Sequence, residues 1–332
     1  MVKKFFSLFA ALTLSAGLWA EGSVFTYTAT KKLESQFAGL GTVVTHEFNE
    51  GNGKVTYNET ITTIGEYAFN GRSALLSITI PEGVTTIGEY AFQWCESLQS
   101  VTLPTSLTTI GEKAFEGCRS LPSITIPASV ATIGQYAFAI CSGLQSVTLS
   151  PGVTTIGEKA FEGCSSLPSI TIPASVTTIG RLAFSSCSGL QSVTLSEGLT
   201  TIEEGAFSPS GLTSITIPAS VTEIVETAFY NCTALASVTF LGNACQDAIG
   251  NNTFYNVGST TPATLVLPDN WTGTKPDKQG NWYGGKFNLS STPTALPTLF
   301  GDGVKGNKFM HNGQLLIRKD GKMYNMLGVE VR

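Results

Sequence analysis

Leu121-Pro122-Ser123-Ile124-Thr125-Ile126-Pro127-Ala128-Ser129-Val130 returns letter for letter as Leu167-Pro168-Ser169-Ile170-Thr171-Ile172-Pro173-Ala174-Ser175-Val176, 46 residues later. Within each copy, apolar Ile124 and Ile126 alternate with Ser123 and Thr125. That is the period of a half-buried strand, and the proline that follows cannot continue a ladder. Outward from this stretch, the phenylalanine of an Ala-Phe pair recurs at Phe69, Phe92, Phe115, Phe138, Phe161, Phe184, Phe207 and Phe229, in six steps of 23 and one of 22. A serine opens each following segment at Ser77, Ser100, Ser123, Ser146, Ser169, Ser192, Ser214 and Ser237. The short step falls where Ser208-Pro209-Ser210-Gly211 stands for the usual five residues. Pairs of 23-residue units have been duplicated as 46-residue blocks, and a doubly wound sheet does not generate such regularity.

Each unit has three parts: the strand, an extended piece such as Val84–Ile87, and a stretch around the Ala-Phe pair. In that stretch Ile87, Ala91, Phe92, Cys95 and Leu98 share one helical face, so the spacing predicts one or two helical turns. A single unit cannot bury its apolar side, whereas stacked units form a continuous core. The expected fold is a repeat solenoid of the α/β type. It would hold eight to nine stacked 23-residue coils of short strand plus short helix, closed by caps at both ends. At roughly 4.8 Å per coil, eight coils run for about 40 Å.

The pattern Leu98-x-x-Val101-x-Leu103-Pro104, then Ile110-Gly111-x-x-Ala114-Phe115-x-x-Cys118, resembles the BspA-like subclass of leucine-rich repeat over residues 61–240. It departs from the common leucine-rich repeat in lacking the buried asparagine after the strand; Ser106, Ser129, Gly152 and Ser175 fall near that slot. A flatter solenoid is expected as a result. The resemblance implies adhesion to host matrix proteins or to other cells.

Outside the repeats, Lys3, Lys4 and the apolar run Phe5–Leu18 read as a cleavable export signal over 1–20, too short to span a bilayer core of about 30 Å. Residues 21–60 hold two strand-like runs, Val43–Phe48 and Lys54–Tyr57, around Glu50-Gly51-Asn52-Gly53, and read as an N-terminal cap. Residues 241–289 read as a degenerate repeat and an aromatic C-terminal cap, and 290–307 as a linker. In the tail, 308–332, the string Tyr324-Asn325-Met326-Leu327-Gly328-Val329-Glu330-Val331 resembles the C-terminal sorting domain of the type IX secretion system. That domain normally continues for several more strands, so the tail is either a shortened version or an unrelated strand-forming terminus.

Charged residues are only 13% of the chain and the net charge is −5, which argues against a nucleic-acid footprint. With His46 and His311 the only histidines, and no nucleophile-elbow, phosphate-loop or zinc-protease motif, no enzyme, metal or cofactor is expected. The expected protein is an exported monomer with no transmembrane anchor in its mature form, displayed on the cell surface or released. It would bind a protein ligand, or as the rival reading a glycan. The rival is a carbohydrate-binding or structural surface component using a threonine-lined sheet.

Four columns of side chains are candidates for more than packing. Cys95, Cys118, Cys141, Cys164, Cys187 and Cys232 share one position; disulfides or a metal are conceivable, but a buried column of free thiols fits the apolar face better. Glu66, Glu89, Glu112, Gln135, Glu158 and Glu204 each follow a threonine by three, which reads as a capping box at a helix start rather than a calcium or acid–base site. Thr79, Thr102, Thr125, Thr148, Thr171 and Thr194 line the strands, either as ordinary β-sheet chemistry or as an array for ice or a repetitive polysaccharide. Tyr67, Tyr90 and Tyr136 share a position with Lys113 and Lys159, while Trp94 and Ile140 stand where other repeats have Gly or Ser. These five large residues at outward positions are either sequence drift or a patch for a partner.

Overall fold

The computed structural model describes residues 24–33, 43–57 and 59–290, and the backbone of short strands at 307–311, 314–319, 322–324 and 330–331. The expected export signal and nearly all of the expected linker lie outside the described residues, and so does much of the sorting-like string.

The repeats wind into a β-solenoid of about ten turns. Each coil has three sides. One is the serine-threonine strand, as at Ser123–Ile126, where outward Ser and Thr alternate with buried Ile. The second is a two-residue Thr-Ile strand; eight of these, from Thr63–Ile64 to Glu223–Ile224, pair in parallel as one continuous sheet. Its isoleucines, Ile64 through Ile224, are buried.

The third side carries the Ala-Phe pair, and here the expectation of a short helix is wrong: none of the described residues is α-helical. In the coil of Phe92, the N–H groups of Tyr90, Phe92 and Trp94 donate to the carbonyls of Glu112, Ala114 and Glu116 in the next coil, at 2.9, 2.7 and 2.7 Å. The alternate N–H groups of Ala91, Gln93 and Cys95 close turns onto Gly88, Tyr90 and Phe92. A helix would send every N–H to its own chain four residues back. Left-handed residues make the alternation geometrically possible: Tyr90 and Trp94 have φ of 56° and 58°, and the same two positions are left-handed in nearly every coil. Apolar spacings of three and four fit both a helix and such consecutive turns, so periodicity alone does not separate them. The capping-box reading falls with the helix. Thr86 belongs to the Thr-Ile sheet, and its N–H, which Glu89 would accept in a capping box, goes to the Thr62 carbonyl of the preceding coil at 3.2 Å.

Stacking dictates the core. Nine phenylalanine rings from Phe69 to Phe254 lie nearly parallel, with centroids 4.9–5.5 Å apart. Trp282 caps this spine, 5.5 Å from Phe254 and parallel to within 12°. Beside it run the cysteines, all seven of them buried and free. Each repeat thiol touches the preceding coil: Cys95, Cys118 and Cys141 donate to the carbonyls of Phe69, Phe92 and Phe115 at 3.0–3.2 Å. Burial pushes the Cys95, Cys141 and Cys187 thiols up to about 12, so they stay protonated and unreactive. In the slot where other leucine-rich repeats bury asparagine, the hydroxyls of Ser106, Ser175 and Ser220 donate to Val84, Val153 and Leu199 carbonyls at 2.6–2.8 Å. Gly83, Gly152 and Gly198 occupy the slot in three other coils, and at Gly152 a Cβ would overlap the Ala128 carbonyl.

The strand column is interrupted at three boundaries, before Ser123, Ser169 and Ser214, and is continuous from Ser214 to Ser290. Ladders join Ser123–Ile126 to Ser146–Leu149 and Ser169–Ile172 to Ser192–Leu195, but not across the intervening boundary. Gln99, Gln145 and Gln191 open their strands by donating an N–H to the preceding coil at 2.7–2.9 Å. Pro122 and Pro168 hold the same position and have no N–H to give. Two of the three interruptions thus fall at the prolines of the 46-residue repeat; at the third, before Ser214, the Thr213 N–H does donate to Gln191, at 3.1 Å.

At the N-terminal end, β1 (Val24–Ala29) pairs antiparallel with Leu75–Thr79 on one side and with β3 (Asn52–Tyr57) on the other; β2 (Val43–Asn49) is outermost. Glu50 and Gly51, both at positive φ, form the two-residue turn between β2 and β3. Tyr27 lies over Gly53, stacks on Phe48 at 6.0 Å and shares a 2.7 Å hydrogen bond with His46 Nε2. At the other end, Ser237–Phe240, Ala263–Val266 and Gly285–Ser290 continue the strand column in parallel.

Candidate interaction surfaces

Two faces of the solenoid carry the candidate residues. On the turn face, the coil repeat brings Tyr67, Tyr90 and Tyr136 into one column with Lys113 and Lys159. Tyr67 stacks on Tyr90, with centroids 4.7 Å apart and planes within 7°. The Lys113 ammonium sits between Tyr90 and Tyr136, 5.3 and 5.1 Å from their centroids, and Lys159 lies 5.0 Å from Tyr136 on its other side. Burial works against the Lys113 charge, but the Glu112 carboxylate at 3.4 Å, Tyr90 and Glu116 together outweigh it and hold the amine above its ordinary range. A hydrogen bond with Tyr136 does the same for Lys159. Tyr90 and Tyr136 are therefore half-covered members of a ladder, while Tyr67, at its end, is 48% exposed.

Trp94 and Ile140 form a second row four residues along the chain. The Trp94 indole lies over Gly117 of the next coil, and the Arg119 guanidinium covers it at 5.5 Å. Ile140 only touches Gly163, at ordinary contact distance, and would leave room there for a Cβ. Glycine alternates with Trp94, Ile140 and Ser186 in this row, at Gly71, Gly117 and Gly163, and all six positions have positive φ. Only at Gly117 does the large neighbour, Trp94, fill the space of a side chain. Arg119 also belongs to this face and was not singled out from the sequence.

The glutamate column is a ladder of polar links. Arg181 bridges Glu158 at 3.1 Å and Glu204 at 3.0 Å, and Gln135 donates to Glu158 at 2.9 Å. In the adjoining column Asn70 donates to Gln93, which donates to Glu116, at 2.8 and 2.7 Å.

The opposite, strand face presents Thr79, Thr102, Thr125, Thr148, Thr171 and Thr194, all exposed. With the serine two residues before each, they form two ranks of hydroxyls without a charge from Ser77 to Thr216. Shallow clefts of about 510 and 260 Å³ open on this face, one against the β1–β3 strands and one where Ser146–Leu149 and Ser169–Ile172 part. Among the described residues there is no cluster of three or more His, Cys, Asp or Glu placed to hold a metal, and no helix long and apolar enough to cross a membrane.

Short parallel strands, a stacked phenylalanine spine and a hydroxyl-lined asparagine slot define a solenoid of the leucine-rich-repeat class. The BspA type leucine-rich repeat region matches residues 62–180 and 154–273, with six copies, and the chain belongs to that family. Among solved structures it is similar to a leucine-rich repeat protein from Bacteroides ovatus, at 30% identity and a TM-score of 0.51, over 67% of this chain and 62% of that one. It is also similar to a leucine-rich cell surface protein from Faecalibacterium prausnitzii, at 35% identity and a TM-score of 0.43, over 61% of this chain and 47% of that one. A leucine-rich repeat protein from T. pallidum matches at 29% identity and a TM-score of 0.44, over 53% of this chain and 72% of that one. The chain thus spans less than two thirds of the length of the first two. No curated protein matches it.

Proposed function

We propose that this is an exported, non-catalytic recognition protein of a bacterial surface, which binds a protein of the host matrix or of another cell through the turn face of its first coils. One observation carries the reading: the buried columns are nearly uniform from coil to coil, whereas the turn columns beside them are not. Ala, Phe, Cys and Ile repeat throughout the core, while the turn positions run Tyr67, Tyr90, Lys113, Tyr136, Lys159 and Leu182 in one column and Gly71, Trp94, Gly117, Ile140 and Gly163 in the next, with Tyr67 and Gly71 exposed and most of the others half-buried. A uniform scaffold with a non-repeating aromatic and basic face suits a specific, non-periodic partner, and aromatic residues and arginine dominate such interfaces. The export signal at 1–20 and the sorting-like tail belong to the same proposal, and the monomer is its simplest assembly.

Immobilised matrix proteins titrated with the mature chain test it. Saturable binding is expected, and Tyr67→Ala combined with Trp94→Ala should weaken it at least about thirtyfold, the loss of roughly 2 kcal/mol typical of a buried anchor. Tyr67 is preferred to Tyr90 because Tyr90 also joins the stack internally. Binding unchanged in the double variant would remove this face from the proposal, and an exported chain that keeps Met1 would refute the leader.

A further inference from the structure

The N-terminal strands extend the hydroxyl ranks of the solenoid rather than ending them. Cross-strand register aligns Thr102 with Thr79, Thr79 with Thr26, Thr26 with Lys54 and Lys54 with Glu47. The parallel row aligns Ser100 with Ser77, Ser77 with Thr28, Thr28 with Asn52 and Asn52 with Asn49. The chain reverses direction in this sheet, yet both rows keep to one face. The shallow, open cleft of about 510 Å³ lies across these rows.

We infer that this cleft binds an uncharged, linear glycan, laid across the strands along the solenoid axis. Three features of the lining select that chemistry. The hydroxyls of Thr26 and Thr79 and the amides of Asn49 and Asn52 donate and accept hydrogen bonds, as sugar hydroxyls require. The only charges in the lining, Glu47 and Lys54, are of opposite sign and stand side by side in register, so the cleft has no net charge with which to select a phosphate, sulfate or uronate. Beyond the cleft the same two ranks recur once per strand, at roughly 4.8 Å, which offers successive units of an extended polymer the same pair of partners. Thr28 and Ser77, hydrogen-bonded to each other at 2.7 Å, tie the added strands to the first coil at the floor of the cleft. This inference is independent of the protein-binding proposal, which uses the opposite face.

Calorimetric titration of the mature protein with cellohexaose, mannohexaose and xylohexaose tests it, with hexagalacturonate as the charged comparison. At least one neutral hexaose should bind with Kd of about 1 mM or tighter, equivalent to about −4 kcal/mol, and hexagalacturonate should not. Asn52→Ala with Thr79→Ala should weaken that binding about tenfold or more, the expected loss for one or two hydrogen bonds to a ligand. Tyr67→Ala, on the turn face, should leave it unchanged. Both substituted positions are exposed, so the variants keep their fold, which circular dichroism verifies. No heat with any neutral hexaose, binding of hexagalacturonate alone, or a double variant that binds like the parent would each overturn the inference.

Discussion

Thr227 adopts a φ of 58° at a position that Gly205 fills one coil earlier. A left-handed β-branched residue costs about 1–2 kcal/mol in backbone sterics, whereas asparagine visits this region more readily. Asn231 and Asn256 do so in the neighbouring turn column, with φ of 58° and 64°. Thr227→Asn should therefore raise the urea midpoint, by the equivalent of about 0.5–1 kcal/mol, while Thr227→Val, which keeps the branch, should gain nothing. An asparagine variant no more stable than the parent would show that the stacking of coils sets this conformation free of strain. Tyr67, Tyr90, Trp94, Tyr136 and Ile140 share the same backbone geometry, with φ of 54–58°. That large residues stand there, where other coils carry lysine, glycine or serine, was legible in the sequence; their left-handed backbone was not. The ladder that half-covers Tyr90 and Tyr136 was not, because it depends on side chains 23 residues apart meeting across coils.

At the scale of elements, coils are joined by side chain to backbone contacts as well as by strands. The Glu82 carboxylate accepts from the Thr105 N–H at 3.0 Å and from the Ser106 N–H at 3.4 Å in the next coil, and Glu197 repeats the arrangement with Ala219 and Ser220. The Thr105 N–H, followed by the Thr105 hydroxyl and the Ser106 N–H, holds Glu82 below the usual carboxylate range. A carboxyl whose folded pKa is depressed adds stability above its unfolded value of about 4.3, and that stability is lost as pH falls through the folded pKa. The melting temperature of Glu82→Gln should accordingly lie below the parent's at about pH 7 and converge on it towards about pH 3. A gap that persists in acid would mean the charge is irrelevant. The strands around Ser123 and Ser169 were readable from alternation, whereas the breaks beside Pro122 and Pro168 emerge only from the pairing of coils. The helix was misread because turns and helices place apolar side chains at similar intervals, and the difference lies in where N–H groups point.

For the molecule as a whole, stability is the sum of coils and of the contacts between neighbours. Excision of Leu121–Ser166 removes one 46-residue block and joins Ser120 to Leu167 in an unchanged local sequence. The shortened chain should still unfold in a single cooperative transition at a lower denaturant midpoint. A chain without a cooperative transition would show that the coils are not interchangeable. The seven thiols give a second reading of the whole: native protein should be inert to a thiol reagent, and the unfolded, unreduced protein should titrate as mostly free cysteine. Three disulfides found there would contradict the packing. Protection by burial lasts only while the column is closed. In oxidising surroundings, one excursion to the open state exposes several thiols a coil apart, and any bond formed between them is permanent until reduced. The working life of such a molecule is then a matter of kinetics: its unfolding rate, more than its equilibrium stability, sets how long it survives outside a reducing compartment.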